Sequence, residues 1–196
     1  MAEDFFALLG EPRRPFLDPE RIKDKFQALS REQHPDQQAT GSNAETDAVF
    51  ARLNAAQAIL RDPKSRLRCL LELEYPEVKV SGPAAVPGAL ADLFAPIHEL
   101  LSRIDALLAK KGASSLALAR ALLAREEISL QEAAQARLGE LETLHAQAVE
   151  ELRTFDARWE PRPPDAAGQL HGFYQRFAYL SRWTDQLRER LFQLAV

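Results

Sequence analysis

The residues of this chain best equipped for chemistry stand together at His34-Pro35-Asp36. An imidazole and a carboxylate this close could move a proton as an acid–base pair. The rigid Pro35 between them, however, holds both side chains outward at a loop tip. No second carboxylate, nucleophile or glycine-rich phosphate cradle accompanies them, so the pattern argues against an enzyme and implies no cofactor. The other histidines, His98, His145 and His171, lie on separate helical segments with no cysteine or carboxylate at ligand spacing, and no metal site is expected. Cys69 is the single cysteine, and its setting in Cys69-Leu70-Leu71 reads as a buried, inert thiol.

A tripeptide gains meaning only from the elements around it. Apolar residues recur at helical spacing nearly everywhere and no strand-like alternation is convincing, which predicts an all-α fold. Phe5, Phe6, Leu8 and Leu9 form a short helix stopped by Gly10-Glu11-Pro12. Asp18-Pro19 supplies an N-cap and a first-turn proline for a helix over 18–33. Ile22, Phe26, Leu29 and Gln33 fall on one stripe of it, with Lys23, Asp24, Gln27 and Arg31 opposite. The tripeptide follows directly, then a polar loop over 37–46. A third helix carrying Val49, Leu53, Ala56 and Leu60 ends at Asp62-Pro63, where a fourth opens.

Three prolines and Gly82 mark 76–88 as a linker between an N-terminal domain over 1–75 and a C-terminal helical domain over 89–196. In the latter, helices are expected over 89–111, over 114–125, from a capping box at Ser129-Leu130-Gln131-Glu132 to about 159, and over 166–194. Helices this long must bury a face against one another, which predicts an antiparallel bundle. The bulk properties agree with a globular protein: 46% of residues are hydrophobic and 28% charged. A net charge of -4 argues against a nucleic-acid partner, whose phosphates demand a dominating basic surface. The acidic N-terminus and the absence of a long apolar run predict a cytoplasmic protein with no membrane partner.

Taken together, 4–75 resembles a J-domain, and more narrowly that of the HscB-type co-chaperones of iron-sulfur cluster assembly. The resemblance rests on Asp4-Phe5-Phe6, Leu8-Leu9-Gly10, Phe26-Gln27, Leu29 and His34-Pro35-Asp36. It continues through Leu53-Asn54-Ala55-Ala56, Leu60-Arg61-Asp62-Pro63, Arg66 and Leu70-Leu71-Glu72-Leu73. It implies a non-enzymatic co-chaperone that stimulates a DnaK/HscA-type chaperone ATPase and delivers an iron-sulfur cluster scaffold protein to it. His34, Pro35 and Asp36 would be the triggering residues, and Lys23, Lys25, Gln27 and Arg31 the chaperone contacts. Arg21, Lys23, Lys25 and Arg31 are offset by Glu20, Asp24 and Glu32, so docking should be weak and salt-sensitive.

By the same resemblance, apolar residues on the first and last bundle helices carry the client surface, here Leu93, Phe94, Ile97 and Tyr179. Phe94 and Tyr179 are expected to be exposed and Leu93 buried. The family's acidic first helix is replaced by Ala95-Pro96-Ile97-His98-Glu99, and extra residues lie around 114–129. A diverged bundle that recruits a different client is the competing reading.

Overall fold

In the computed structural model of the chain, residues 3–32, 44–80, 86–113 and 117–195 are described. Within them the elements are α1 (Phe5–Leu8), α2 (Pro19–Glu32), α3 (Ala44–Arg61), α4 (Pro63–Glu74), α5 (Ala91–Ala113), α6 (Ala117–Asp156) and α7 (Ala166–Ala195), with a 3-10 turn at Gly88–Leu90 before α5. The described residues hold no strand, so the fold is all-α. None of these helices is long and apolar enough to cross a membrane.

The chain forms two compact units, one of Met1–Gly82 with Val149–Tyr174 and one of Pro83–Ala148 with Gln175–Val196. This division differs from the contiguous one expected from sequence, because the end of α6 and the start of α7 belong with the N-terminal helices. In the first unit the local signals at Asp18-Pro19 and Asp62-Pro63 act as read, and Asp4 adds a cap of its own. The Asp4 carboxylate accepts from the Ala7 N–H at 3.1 Å to cap α1, and Asp18 accepts from the Glu20 N–H at 2.9 Å at the head of α2. At the α3–α4 corner, Asp62 accepts from the Ser65 N–H at 2.9 Å and from its hydroxyl at 2.6 Å, with Pro63 in the first turn.

Phe6, Ile22, Leu53, Ala56, Leu60, Leu67, Leu70 and Leu71 close the core of this unit, joined from the later helices by Leu152, Phe155, Trp159 and Leu170. Each large apolar side chain buried here contributes about 1.5–3 kcal/mol. An exposed pair such as Arg52–Glu3, with both side chains more than two-fifths accessible, contributes about 0–1 kcal/mol. Burial therefore outweighs surface charge in holding the unit together. Cys69 lies in this core at 6% exposure, its sulfur 4.0 Å from the Glu3 carbonyl, and burial pushes its thiol pKa up.

The non-helical stretch 11–18 cannot satisfy its polar groups internally and is held by three charged side chains. Arg66 is 1% exposed; its Nε donates to the Pro15 carbonyl at 2.8 Å and a terminal nitrogen donates to the Leu60 carbonyl at 2.6 Å. Burial pushes its pKa down to about 10, against the pull of Asp62 and Asp156, so it is charged at neutral pH. Asp156, the last residue of α6, takes the Arg14 guanidinium at 3.1 Å and the Phe16 N–H at 3.2 Å, while Arg14 also donates to the Asp156 carbonyl at 2.8 Å. Glu74, the last residue of α4, is pinned between Arg13 at 2.8 Å and Arg162 at 2.6 Å. Arg162 also lies over the Trp159 ring, 5.4 Å from its centroid.

The second unit is a three-helix arrangement with a seven-residue rhythm. Leu90, Ile97 and Ile104, then Ala134, Leu141 and Ala148, then Leu180, Leu187 and Leu194 are all buried, the spacing of knobs-into-holes packing. Contacts of Glu142 with Arg188 and of His145 with Phe177 run α6 antiparallel to α7. Asp105 with Arg190 and Lys111 with the Leu194 carbonyl make α5 parallel to α7, the order of an up-down-up antiparallel bundle. One expectation is overturned: Ser129 does not open a helix. α6 runs through it unbroken, because neither proline nor glycine interrupts 117–138 and Leu130, Ala134 and Leu141 keep one buried stripe across the capping-box pattern. Glu132 is simply exposed.

Two outcomes check this account of the first unit. Arg66→Leu leaves the Pro15 and Leu60 carbonyls buried without a donor and should cost about 2–5 kcal/mol in urea unfolding; a loss under ~1 kcal/mol would show the guanidinium to be dispensable. For Glu74, hydrogen bonding from Arg13 leads the causes that hold its carboxyl below the ordinary 4.5. A depressed folded-state pKa stabilises above the unfolded value, and that contribution disappears as pH falls through the folded value. The stability advantage of the wild type over Glu74→Gln should therefore be constant near neutrality and shrink once pH drops below about 4.5; an advantage that grows on acidification contradicts the assignment.

Candidate functional site

The helix that leads to the tripeptide presents two different faces. Ile22 is buried and Phe26 and Leu29 half-buried, the Phe26 ring meeting Phe50 of α3 at 6.2 Å between centroids. Glu20, Asp24, Gln27 and Arg31 recur at spacings of three and four on the outer side and are exposed. His34, Pro35 and Asp36 themselves lie outside the described residues, as does Gln33.

The cations of α2 are arranged less simply than the helix pattern implies. Lys23 pairs with Glu20 at 3.2 Å. Lys25 is turned back along the chain: its Nζ is 2.7 Å from Glu11 Oε1 and donates to the Gly10 carbonyl at 2.5 Å. Arg21 brings its Nε to the same Glu11 oxygen at 3.2 Å. The Glu11 side chain is only 1% exposed. Gly10, at φ +62°, turns the chain after α1 in a backbone conformation that other residues rarely adopt. Among the described residues Arg31 makes no ion pair, and with Gln27 it is the most outward of the four residues expected to meet a chaperone. The Glu11 pairing was invisible in helix periodicity, since the carboxylate comes from outside the helix.

The four bundle residues expected to form a client patch separate into different environments. Phe94 is 47% exposed and lies against His98 with 6.2 Å between ring centroids. Leu93 is half-buried rather than fully buried. Tyr179 is not exposed as expected: it is 8% accessible and packs against Trp183 at 5.5 Å. Ile97 is 1% exposed and belongs to the heptad core. The groove between α5 and α7 is lined by Phe94, Ile97, His98, Leu101, Arg182 and Trp183. Arg190, paired to Asp105 at 3.2 Å, also lines it. The available signal was the continuation from Phe94 at four- and seven-residue steps to His98 and Leu101, and from Tyr179 one turn on to Trp183. Phe94→Ala should leave the unfolding midpoint within the range of a surface change, about 0.5 kcal/mol. Tyr179→Ala should cost roughly 3–5 kcal/mol through the cavity it leaves; equal losses for the two would contradict this placement.

Comparison with known proteins agrees with this architecture. The DnaJ domain family matches residues 4–68. The co-chaperone protein HscB homolog of Bordetella pertussis is 42% identical over 74 residues, covering 36% of this chain and 44% of that protein. The same identity and coverage hold for the homolog of Bordetella parapertussis. The matched region thus spans less than half the length of these curated relatives. Among solved structures, the chaperone HscB from Vibrio cholerae superposes with a TM-score of 0.51 at 21% identity, over 98% of this chain and 99% of that one. Human co-chaperone protein HscB gives 0.50 at 17% identity, over 95% and 81%. These two likenesses concern the fold. A segment similar to the DnaJ domain, running from before α1 into α4 and including the tripeptide, thus precedes a helical bundle, and the chain as a whole resembles the HscB-type co-chaperones in fold.

Proposed function

We propose that the protein is a co-chaperone that stimulates the ATPase of a DnaK/HscA-type chaperone through His34, Pro35 and Asp36 and delivers an iron-sulfur cluster scaffold protein to it. The observation that carries this reading is the exposed outer stripe of α2, which ends at Arg31 three residues before the tripeptide within the DnaJ-domain match. A helix face that is exposed beside a trigger motif fits recognition, since it contributes little to packing. The stripe is nearly balanced in charge, Glu20 and Asp24 against Arg31, so it fits transient docking in which complementarity sets orientation and on-rate more than affinity.

The α5–α7 groove is the surface best suited to a client. Phe94 offers an apolar anchor beside Trp183, and truncation of such an anchor in a partner-covered groove typically costs about 2 kcal/mol or more of binding. A second reading, a J-domain protein serving a different client, is favoured by the burial of Ile97 and Tyr179, which leaves Phe94 as the one strongly exposed member of the expected patch. Both readings share the chaperone partner and place the protein outside catalysis and in the cytoplasm.

Single-turnover ATP hydrolysis by purified DnaK/HscA-type chaperones tests the proposal. The wild type should accelerate hydrolysis, and purified scaffold should add to the effect; His34→Gln should remove the acceleration while leaving circular dichroism and melting unchanged. No acceleration by the wild type with any such chaperone would sink the co-chaperone reading, and acceleration without scaffold binding would favour the second client.

A further inference from the structure

α2 carries four cations in Arg21, Lys23, Lys25 and Arg31, yet two of them converge on one carboxylate that does not belong to the helix. The Glu11 side chain is 1% exposed, its Oε1 lying 2.7 Å from Lys25 and 3.2 Å from Arg21. A surface acid could be displaced by a competing acidic partner at little cost, because exposed pairs are weak. Glu11 is different: a buried carboxylate stripped of both cations would be left desolvated and unpaired, which is expensive. Lys25 is held twice over, since its ammonium also donates to the Gly10 carbonyl at 2.5 Å.

We propose that Glu11 is a specificity-determining residue for chaperone docking: it draws Lys25 back from the interface, while Arg21 keeps 62% of its side chain exposed, so that the electrostatic attraction of α2 is carried by Arg21, Lys23 and Arg31. The inference rests on the co-chaperone reading above and concerns regulation of that same surface. Its consequence is a face tuned to moderate attraction. Removing the Glu11 charge adds one net positive charge beneath the first half of α2 and loosens the hold on Lys25, which can then turn toward an acidic partner.

The test is the association rate of the full chain with a purified DnaK/HscA-type chaperone in ATP, measured from low to high salt. Glu11→Gln, whose amide oxygen still accepts from Lys25, should raise the low-salt rate roughly two- to tenfold and steepen its decline with salt. Adding Lys25→Met to Glu11→Gln should remove most of that gain, the signature of coupling between contacting residues. An unchanged rate in a folded Glu11→Gln protein overturns the inference while leaving the co-chaperone reading intact. A wild type that docks to no such chaperone at any salt overturns both. If Glu11→Gln fails to fold, amine acylation of the wild type decides: docking should protect Lys23 and leave the Lys25 rate as in the free chain, and equal protection of both amines overturns the inference.

Discussion

The first unit depends on how the chain between α1 and α2 disposes of its polar backbone. Residues 11–18 run without helical hydrogen bonds across the ends of other elements, and each charged side chain that meets them secures one such end. Asp156 is the clearest case. An acid at the last residue of a helix is disfavoured by the helix dipole and by the unpaired carbonyls around it. Arg14 resolves both difficulties with one guanidinium, pairing with the carboxylate and capping the Asp156 carbonyl, while the carboxylate's Oδ1 also accepts from the Phe16 N–H. The segment thereby ties the end of α6 to the helices of the DnaJ-domain match, and this is why 149–174 groups with residues far from it in sequence.

Helix ends were legible in the sequence wherever the signal was local. Asp18-Pro19 and Asp62-Pro63 act through side chains three residues or fewer away, and the prolines after 160 lie in the break between α6 and α7. The capping-box pattern at Ser129 shows the limit: the same local chemistry is available there, but a continuous buried stripe favours uninterrupted helix, and packing outweighs a cap worth about 1 kcal/mol. The all-α fold and the bundle followed from periodicity, which reports the burial of whole faces.

The candidate surfaces were legible in outline and not in detail. Periodicity distinguishes the outer stripe of α2 from its packed face, but the direction of a long side chain depends on what lies within reach of its end, and Lys25 finds Glu11. In the bundle, Phe94 and Tyr179 are both aromatic residues on helical stripes, and only the placement of a third element decides which is covered. Resemblance to a family transfers positions more faithfully than exposures.

Cys69 is the one residue in the chain whose thiolate could bind iron or attack an electrophile. Its sulfur is enclosed beside the Glu3 carbonyl, and burial favours the protonated, unreactive form. A carrier proposed to work beside iron-sulfur clusters thus brings no competing sulfur ligand to the exchange. A thiol enclosed in this way reacts through local opening of what covers it, so its alkylation rate is a built-in clock for opening around α4.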